Sequence, residues 1–179
     1  IVRQVEHLQQ MVAEFSTFAR LPVLDLAPDR LPPILDEVAQ TFQHSHTAIA
    51  WTLHLAPDLP ELLMDRSGMR HVLVNILSNA AEALKDQAGG AVEVRASHEP
   101  ALGRVRLEVA DNGPGLTAEE RSRVFEPYFS RKKGGTGLGL TIVKSIVTDH
   151  HGVVRVRSNH PRGTVLVVDL PAPQGKPAA

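Results

Sequence analysis

Residues 91–115 read AVEVRASHEPALGRVRLEVADNGPG, two alternating apolar and polar runs (91–97 and 104–110) on either side of a turn containing Pro and Gly. A period of two marks a half-buried strand, and a short turn between two such runs makes them antiparallel neighbours. Upstream, residues 66–88 carry a helical period with Asp65 or Ser67 as N-cap and Gly89-Gly90 as the stop. Residues 34–43 read as a helix, 48–55 as a strand and 57–60 as a turn. Downstream, 136–150 reads as a helix closed at Gly152, and 153–158 and 164–170 as a final hairpin. Strands paired through short turns and interleaved with three helices predict an α+β fold. The expected form is a two-layer sandwich, a mixed sheet packed on three helices, rather than a doubly wound parallel sheet.

The ends of the chain read differently. Ile1, Val5, Leu8, Val12, Phe15 and Ala19 recur at spacings of four and three, a heptad seam on an N-terminal helix over residues 1–20. At this length the helix is marginal alone, so its apolar face calls for a partner helix. Pro22, Pro28, Pro32 and Pro33 break the period, which predicts a linker over 21–30, a globular unit over 31–170 and a frayed tail over 171–179. The first residue is Ile, so the chain is expected to begin inside a longer protein.

The 179 residues carry 19 Lys and Arg against 20 Asp and Glu, a formal charge of −1. That balance removes the broad basic field of a nucleic-acid binder, so no nucleic-acid partner is expected. The absence of cysteine rules out disulfide scaffolds, thiolate metal sites and thiol nucleophiles. No apolar run approaches the roughly 20 residues of a membrane-spanning helix. His44, His46, His150 and His151 lack the acidic companions or i, i+4 spacing of a metal site and are expected at the surface.

Three clusters carry chemistry. On the helix 66–88, His71, Asn75, Asn79, Glu82 and Asp86 share one stripe, opposite Met69, Val72, Leu73, Ile76, Leu77, Ala80 and Leu84. Asparagines one turn apart weaken a helix, and their amide oxygens suit a hard cation such as Mg²⁺. The second cluster, Asp111-Asn-Gly-Pro-Gly115, closes a strand. Its carboxylate can accept from the exocyclic amine of adenine and would repel the carbonyl that guanine offers there, while the glycines let the backbone approach a flat ligand. Gly113, Gly115 and Ala118 also fit a dinucleotide-binding fingerprint, but the residues that follow do not supply that fold's context. The third cluster, Gly134-Gly-Thr-Gly-Leu-Gly139-Leu140, leads into a helix whose free N–H groups suit phosphate, with Ser130, Arg131, Lys132 and Lys133 just upstream. Leu140 stands where a P-loop needs lysine.

In this order the clusters resemble the catalytic ATP-binding domain of sensor histidine kinases, the fold shared with gyrase B, Hsp90 and MutL. Asn75-Ile-Leu-Ser-Asn79-Ala is similar to the N box, Asp111-Asn-Gly-Pro-Gly115 to the G1 box, Phe125-Glu-Pro-Tyr-Phe129 to the F box, Gly135-Thr136-Gly137-Leu138-Gly139-Leu140 to the G2 box, and Gly163-Thr164 to the last element. Asn79-Ala-Ala-Glu-Ala83 and residues 125–133 are most similar to nitrogen-regulation-type kinases, and residues 1–20, particularly 11–20, to the second helix of the dimerisation hairpin. The resemblance implies ATP and Mg²⁺ as cofactors. It makes Asn79 the Mg²⁺ ligand, Asn75 a phosphate or metal-water contact, Asp111 the adenine reader, and Gly113 and Gly115 the floor under the base. Lys132 would reach the terminal phosphates with Arg131 and Lys133 beside it, Gly137 and Gly139 would cradle phosphate, Thr164 would join the water network at adenine, and Phe125 would anchor the lid.

Two departures bear on the chemistry. Glu82 stands where many family members carry a phosphate-binding lysine, which leaves it only a metal-bound water to hold. Asn75 stands where hydrolytic relatives carry a glutamate base. An amide cannot deprotonate water, which favours transfer to a histidine over hydrolysis. None of the nine histidines lies in a phosphoacceptor box, so that histidine is expected on an upstream helix outside the chain. The implied partners are that helix, a response regulator and a second copy joined through the hairpin. The implied setting is a cytoplasmic domain, with membrane anchoring of the complete protein left open. The alternatives are a hydrolytic ATPase clamp and a non-catalytic nucleotide-binding module.

Overall fold

The computed structural model describes residues 24–131 and 135–173. In chain order the elements are β1 (Ala27–Asp29), α1 (Leu31–Ser45), β2 (Ala50–Leu55), β3 (Leu62–Met64), α2 (Arg66–Leu84), β4 (Ala91–Glu99), β5 (Arg104–Asp111), α3 (Ala118–Arg123), α4 (Gly139–Asp149), β6 (Val153–Ser158) and β7 (Thr164–Pro171). Five strands form one mixed sheet in the order β2-β4-β5-β7-β6, in which β2 and β4 are parallel and the other pairs antiparallel. The alternation seen in residues 91–111 is realised: Val92, Val94, Ala96, Val105, Leu107 and Val109 all point into the core. Against them pack Ile34, Leu35 and Val38 of α1, the apolar side of α2, and Ile142, Val143 and Val147 of α4. The expected two-layer sandwich is therefore present, and among the described residues the short α3, which buries no residue, is a fourth α-helix.

Several expected boundaries are corrected. Pro32 and Pro33 open α1 instead of preceding it, because the first helical turn needs no N–H from these positions. Part of the expected linker is a strand: β1 pairs with β3, Ala27 opposite Met64 and Asp29 opposite Leu62. These three-residue strands are too short for alternation to reveal. The long helix stops at Leu84 rather than residue 88, and α4 starts at Gly139 rather than residue 136. Gly137 has a φ of 69°, and a Cβ on it would lie 2.5 Å from the Tyr128 carbonyl carbon, so the chain cannot be helical there. Strand β7 runs through Pro171, and the Ala172 N–H donates to the Gly103 carbonyl, so residues 171 and 172 belong to the sheet rather than to a frayed tail. The heptad of residues 1–20 and the end of the tail lie outside the described residues.

The open face of the sheet is held by charge. Asp169 on β7 is 6% exposed and receives Arg106 Nε at 2.8 Å, Arg104 Nη1 at 3.1 Å and the Arg155 guanidinium. Burial pushes its carboxyl up, but the three arginines outweigh that and hold it below its ordinary value. Its contribution to stability is present above the unfolded-state value and is lost as pH falls through the lowered folded-state value.

Candidate nucleotide-binding site

Helix α2 carries His71, Asn75, Asn79 and Glu82 of the expected polar stripe, while Asp86 lies past its end. Asp65 caps it, its Oδ1 accepting from the Gly68 N–H at 2.7 Å. One turn into the stripe, Asn75 Nδ2 donates to the His71 carbonyl at 3.0 Å, which fixes the amide and directs its oxygen toward α4. A Cβ on Gly139 would stand 2.7 Å from Asn75 Oδ1, so a larger residue at the start of α4 would displace the Asn75 amide from this position. Leu138, the N-cap, makes no side-chain cap, and the first N–H groups of α4 are left for a ligand at the positive end of the helix dipole.

Asp111 ends β5 and is 6% exposed. Its Oδ1 accepts from the Gly113 N–H at 2.8 Å and the Thr164 N–H at 3.3 Å, and among the described residues no hydrogen bond reaches Oδ2. Burial pushes its carboxyl above the ordinary 3.8, and the two backbone donors oppose that. Folding therefore favours the protonated form, so this group adds stability below the unfolded-state value and withdraws it as pH rises through the folded-state value. Binding of an amine donor has the opposite sign, because the ionised carboxylate is the better acceptor. ADP affinity is expected to fall on acidification at a pH above that at which an ordinary aspartate titrates. Calorimetry from pH 7.5 down to the acid limit of folding, with folding followed by circular dichroism and Asp111→Asn as the reference, checks this, and a profile no different from that of Asp111→Asn would count against it.

These parts enclose a cavity of about 760 Å³, within the range of small-molecule sites. Asn75, Asn79, Glu82, Asp111, Gly115, Arg131, Thr136, Gly137, Gly139, Leu140 and Thr164 line it, as expected of a shared site. Three expected residues do not. Gly113 acts through its N–H on Asp111; Phe125 packs against the core, its carbonyl accepting from Thr141 Oγ1 at 3.3 Å; Leu138 is a core residue at 3% exposure. Phe129 lines the cavity in place of Phe125, with the Arg123 guanidinium 4.8 Å from its ring centre. Lys132 and Lys133 lie outside the described residues.

Two charged residues are already engaged. Arg131 Nε lies 3.1 Å from Glu120 Oε1 and its Nη1 donates to the Gly115 carbonyl at 2.9 Å, so reaching a phosphate requires giving up these partners. Glu82 Oε1 accepts from Lys85 Nζ at 2.5 Å. Lys85, Ser78, Val109, Leu116, Val156 and Leu166, which carry no site signal in the sequence, also line the cavity, together with Ile76 and Ala80 from the side of α2 expected to face away from the polar stripe. Val109 and Leu166 carry the inward strand period, which identifies core positions without telling which of them face a ligand.

His150 corrects a further expectation: it is 3% exposed, its Nδ1 contacts the Ile146 carbonyl at 2.7 Å, and its Nε2 accepts from the Asp65 N–H at 2.9 Å. It joins the end of α4 to the start of α2. Among the described residues no helix is long and apolar enough to cross a membrane.

Residues 64–174 match the family described as histidine kinase-, DNA gyrase B- and HSP90-like ATPase. The chain is 36% identical over 172 residues to the C4-dicarboxylate transport sensor protein DctB of Rhizobium meliloti, covering 95% of this chain and 27% of that protein. It is 33% identical over 159 residues to the nitrogen regulation protein NtrY of Azorhizobium caulinodans, covering 87% and 20%. The chain thus spans about a quarter of the length of these curated relatives. The structure of full-length ShkA in complex with AMPPNP superposes with a TM-score of 0.82 at 31% identity, covering 94% of this chain and 36% of that one. With the α+β fold, the boxes in order and the cavity they enclose, the chain belongs to the histidine kinase-, DNA gyrase B- and HSP90-like ATPase family, as a catalytic ATP-binding domain of the sensor-kinase kind.

Proposed function

We propose that the chain binds Mg²⁺-ATP and presents its γ-phosphate to a histidine on an upstream helix, which then passes the phosphoryl group to a response-regulator aspartate. The observation that carries this reading is one cavity uniting the amides of Asn75 and Asn79, the buried Asp111 carboxylate and the N-terminus of α4. Asp111 Oδ2 takes the adenine amine, with Gly115 and the Ile76, Ala80 and Leu166 side chains against the base and Thr164 at its edge. The N–H groups at Gly139 and Leu140 hold phosphate oxygens, and Thr136 and Gly137 shape the approach. The donor chemistry fits Mg²⁺: Asn79 would supply a hard amide oxygen, with Asn75 one turn away contacting phosphate or a metal-bound water. When bound, the ion offsets charge on the leaving phosphate. Lys132, Arg131 and Lys133 supply cations at the terminal phosphate, Arg131 after leaving Glu120, while Glu82 orders a metal-bound water.

Transfer joins a histidine ring nitrogen to the γ-phosphorus as the bond from that phosphorus to the β,γ-bridging oxygen breaks, releasing ADP. The protein's part is positioning and charge stabilisation, since Asn75 cannot act as a base toward water. In the complete protein a hairpin that includes residues 1–20 pairs two copies, and membrane anchoring, where present, lies outside this domain. Incubating the chain with γ-labelled ATP, Mg²⁺ and a separate hairpin bearing the acceptor histidine is expected to give acid-labile label on that histidine. ATP turnover with no labelled hairpin would instead support the hydrolytic clamp, and tight binding with neither activity the non-catalytic module.

A further inference from the structure

The loop that carries Asp111 is held from within by the Gly113 N–H on Asp111 Oδ1, and at Asn112 by the Ala91 N–H, which donates to its Oδ1 at 2.8 Å, and by its own Nδ2, which donates to the Gly89 carbonyl at 3.0 Å. The β6–β7 hairpin also holds the loop from outside the cavity: Asn159 Nδ2 donates to the Asp111 carbonyl at 2.8 Å, and Arg162 Nε donates to the carbonyls of Asn112 at 3.2 Å and Gly113 at 3.1 Å. Arg162 Nη2 also donates to Gln87 Oε1, and Gln87 Nε2 donates to the Asn112 carbonyl at 3.1 Å and to Asn112 Oδ1 at 3.2 Å. One guanidinium thus ties the hairpin, the Asp111 loop and the turn after α2 into a ring of bonds. Arg162 itself is exposed and does not line the cavity.

We propose that Arg162 is a positioning residue that sets the purine-reading carboxylate. The proposal deepens the adenine-nucleotide reading and rests on it. The link is short: the Gly113 N–H that holds Asp111 Oδ1 at 2.8 Å lies in the same peptide plane as the Asn112 carbonyl, which accepts from Arg162 Nε at 3.2 Å and, at 3.1 Å, from Gln87 Nε2, whose Oε1 is itself held by Arg162 Nη2. Removing the guanidinium takes away one bond to that carbonyl and loosens the other, so the Asn112–Gly113 peptide can turn and the carboxylate loses the donor that fixes its plane. Lysine replaces the arginine only in part, because its three donors radiate from one atom and cannot reach both the loop carbonyls and the glutamine that the planar guanidinium spans. The phosphate end of the cavity, built on Asn75 and the start of α4, has no part in this ring.

That separation supplies the test. ADP, adenosine and inorganic tripolyphosphate are titrated calorimetrically into the wild-type chain, Arg162→Met and Arg162→Lys, at a temperature well below each melting point. Arg162→Met is expected to weaken ADP and adenosine by about tenfold, the scale of one charge-assisted hydrogen bond. Tripolyphosphate affinity is expected to stay within about twofold, with Arg162→Lys recovering only part of the loss. A merely structural role lowers the melting point without moving the ratio of ADP to tripolyphosphate affinity. An unchanged ratio in Arg162→Met, with the wild type binding ADP, overturns the proposal alone. Absence of adenosine and ADP binding by the wild type overturns the nucleotide reading and the proposal with it.

Discussion

Asn79→Ala is expected to lower Mg²⁺-ATP-dependent labelling of the acceptor hairpin by about a hundredfold or more, the scale on which losing one group that stabilises developing charge is felt. Asn79 is half-buried on α2, lines the cavity and stands one turn from the fixed amide of Asn75. Alanine is the better helix former, which offsets part of what the Asn79 side chain contributes to folding. The loss of labelling is therefore expected to exceed by far any change in the folded fraction at the assay temperature. It should also be partly relieved by raising Mg²⁺, because a missing ligand weakens the ion's hold before it alters anything else. Labelling within threefold of wild type across a Mg²⁺ titration would remove Asn79 from the metal site.

Gly163→Ala is expected to be the most damaging single methyl in the described part of the site. Gly163 has a φ of 118°, and a Cβ there would fall 1.9 Å from the Asp111 carbonyl oxygen and 2.9 Å from Asn112 Cα. Both obstacles are backbone, so the hairpin or the Asp111 loop has to move, and with it the Thr164 N–H that binds Asp111. A stability cost of about 2–4 kcal/mol follows, together with loss of measurable ADP binding. Gly89 is the control: its φ is 70° but nothing lies within 4 Å of its added Cβ, so Gly89→Ala should show only the strain of a left-handed alanine, about 1 kcal/mol. Urea denaturation of the two variants separates the effects. A Gly163→Ala midpoint as high as that of Gly89→Ala would mean that the loop and hairpin do not meet as described.

The regular parts of the fold were legible because a period reports burial directly. The alternation of residues 91–111 and the divided faces of α2 each gave an element and its orientation, and the order of the glycine clusters brought them to one site. What the sequence hid was contact made by one or two residues without a period. Strands β1 and β3 are three residues each, and Pro32 and Pro33 are compatible with both a linker and a first helical turn. Phe125 and Phe129 are chemically alike, and only the left-handed Tyr128 between them, with a φ of 64°, turns one into the core and the other toward the cavity. His150 resembled a surface histidine because its partner is a backbone N–H of Asp65, 85 positions away. Arg131 was legible as a cation near the site. Its partners Glu120 and Gly115 are fixed by how α3 and the loop fold over one another.

The central claim is that one carboxylate and one pair of amides make this cavity an adenine-nucleotide site. Calorimetric titration of the chain with ADP, ATP and GTP, with and without Mg²⁺, repeated on Asp111→Asn, tests it most directly. Binding selective for adenine, strengthened by Mg²⁺ and weakened by about tenfold or more in Asp111→Asn, is the result expected. Equal binding of GTP and ATP, or ADP affinity unchanged by Asp111→Asn, would contradict it.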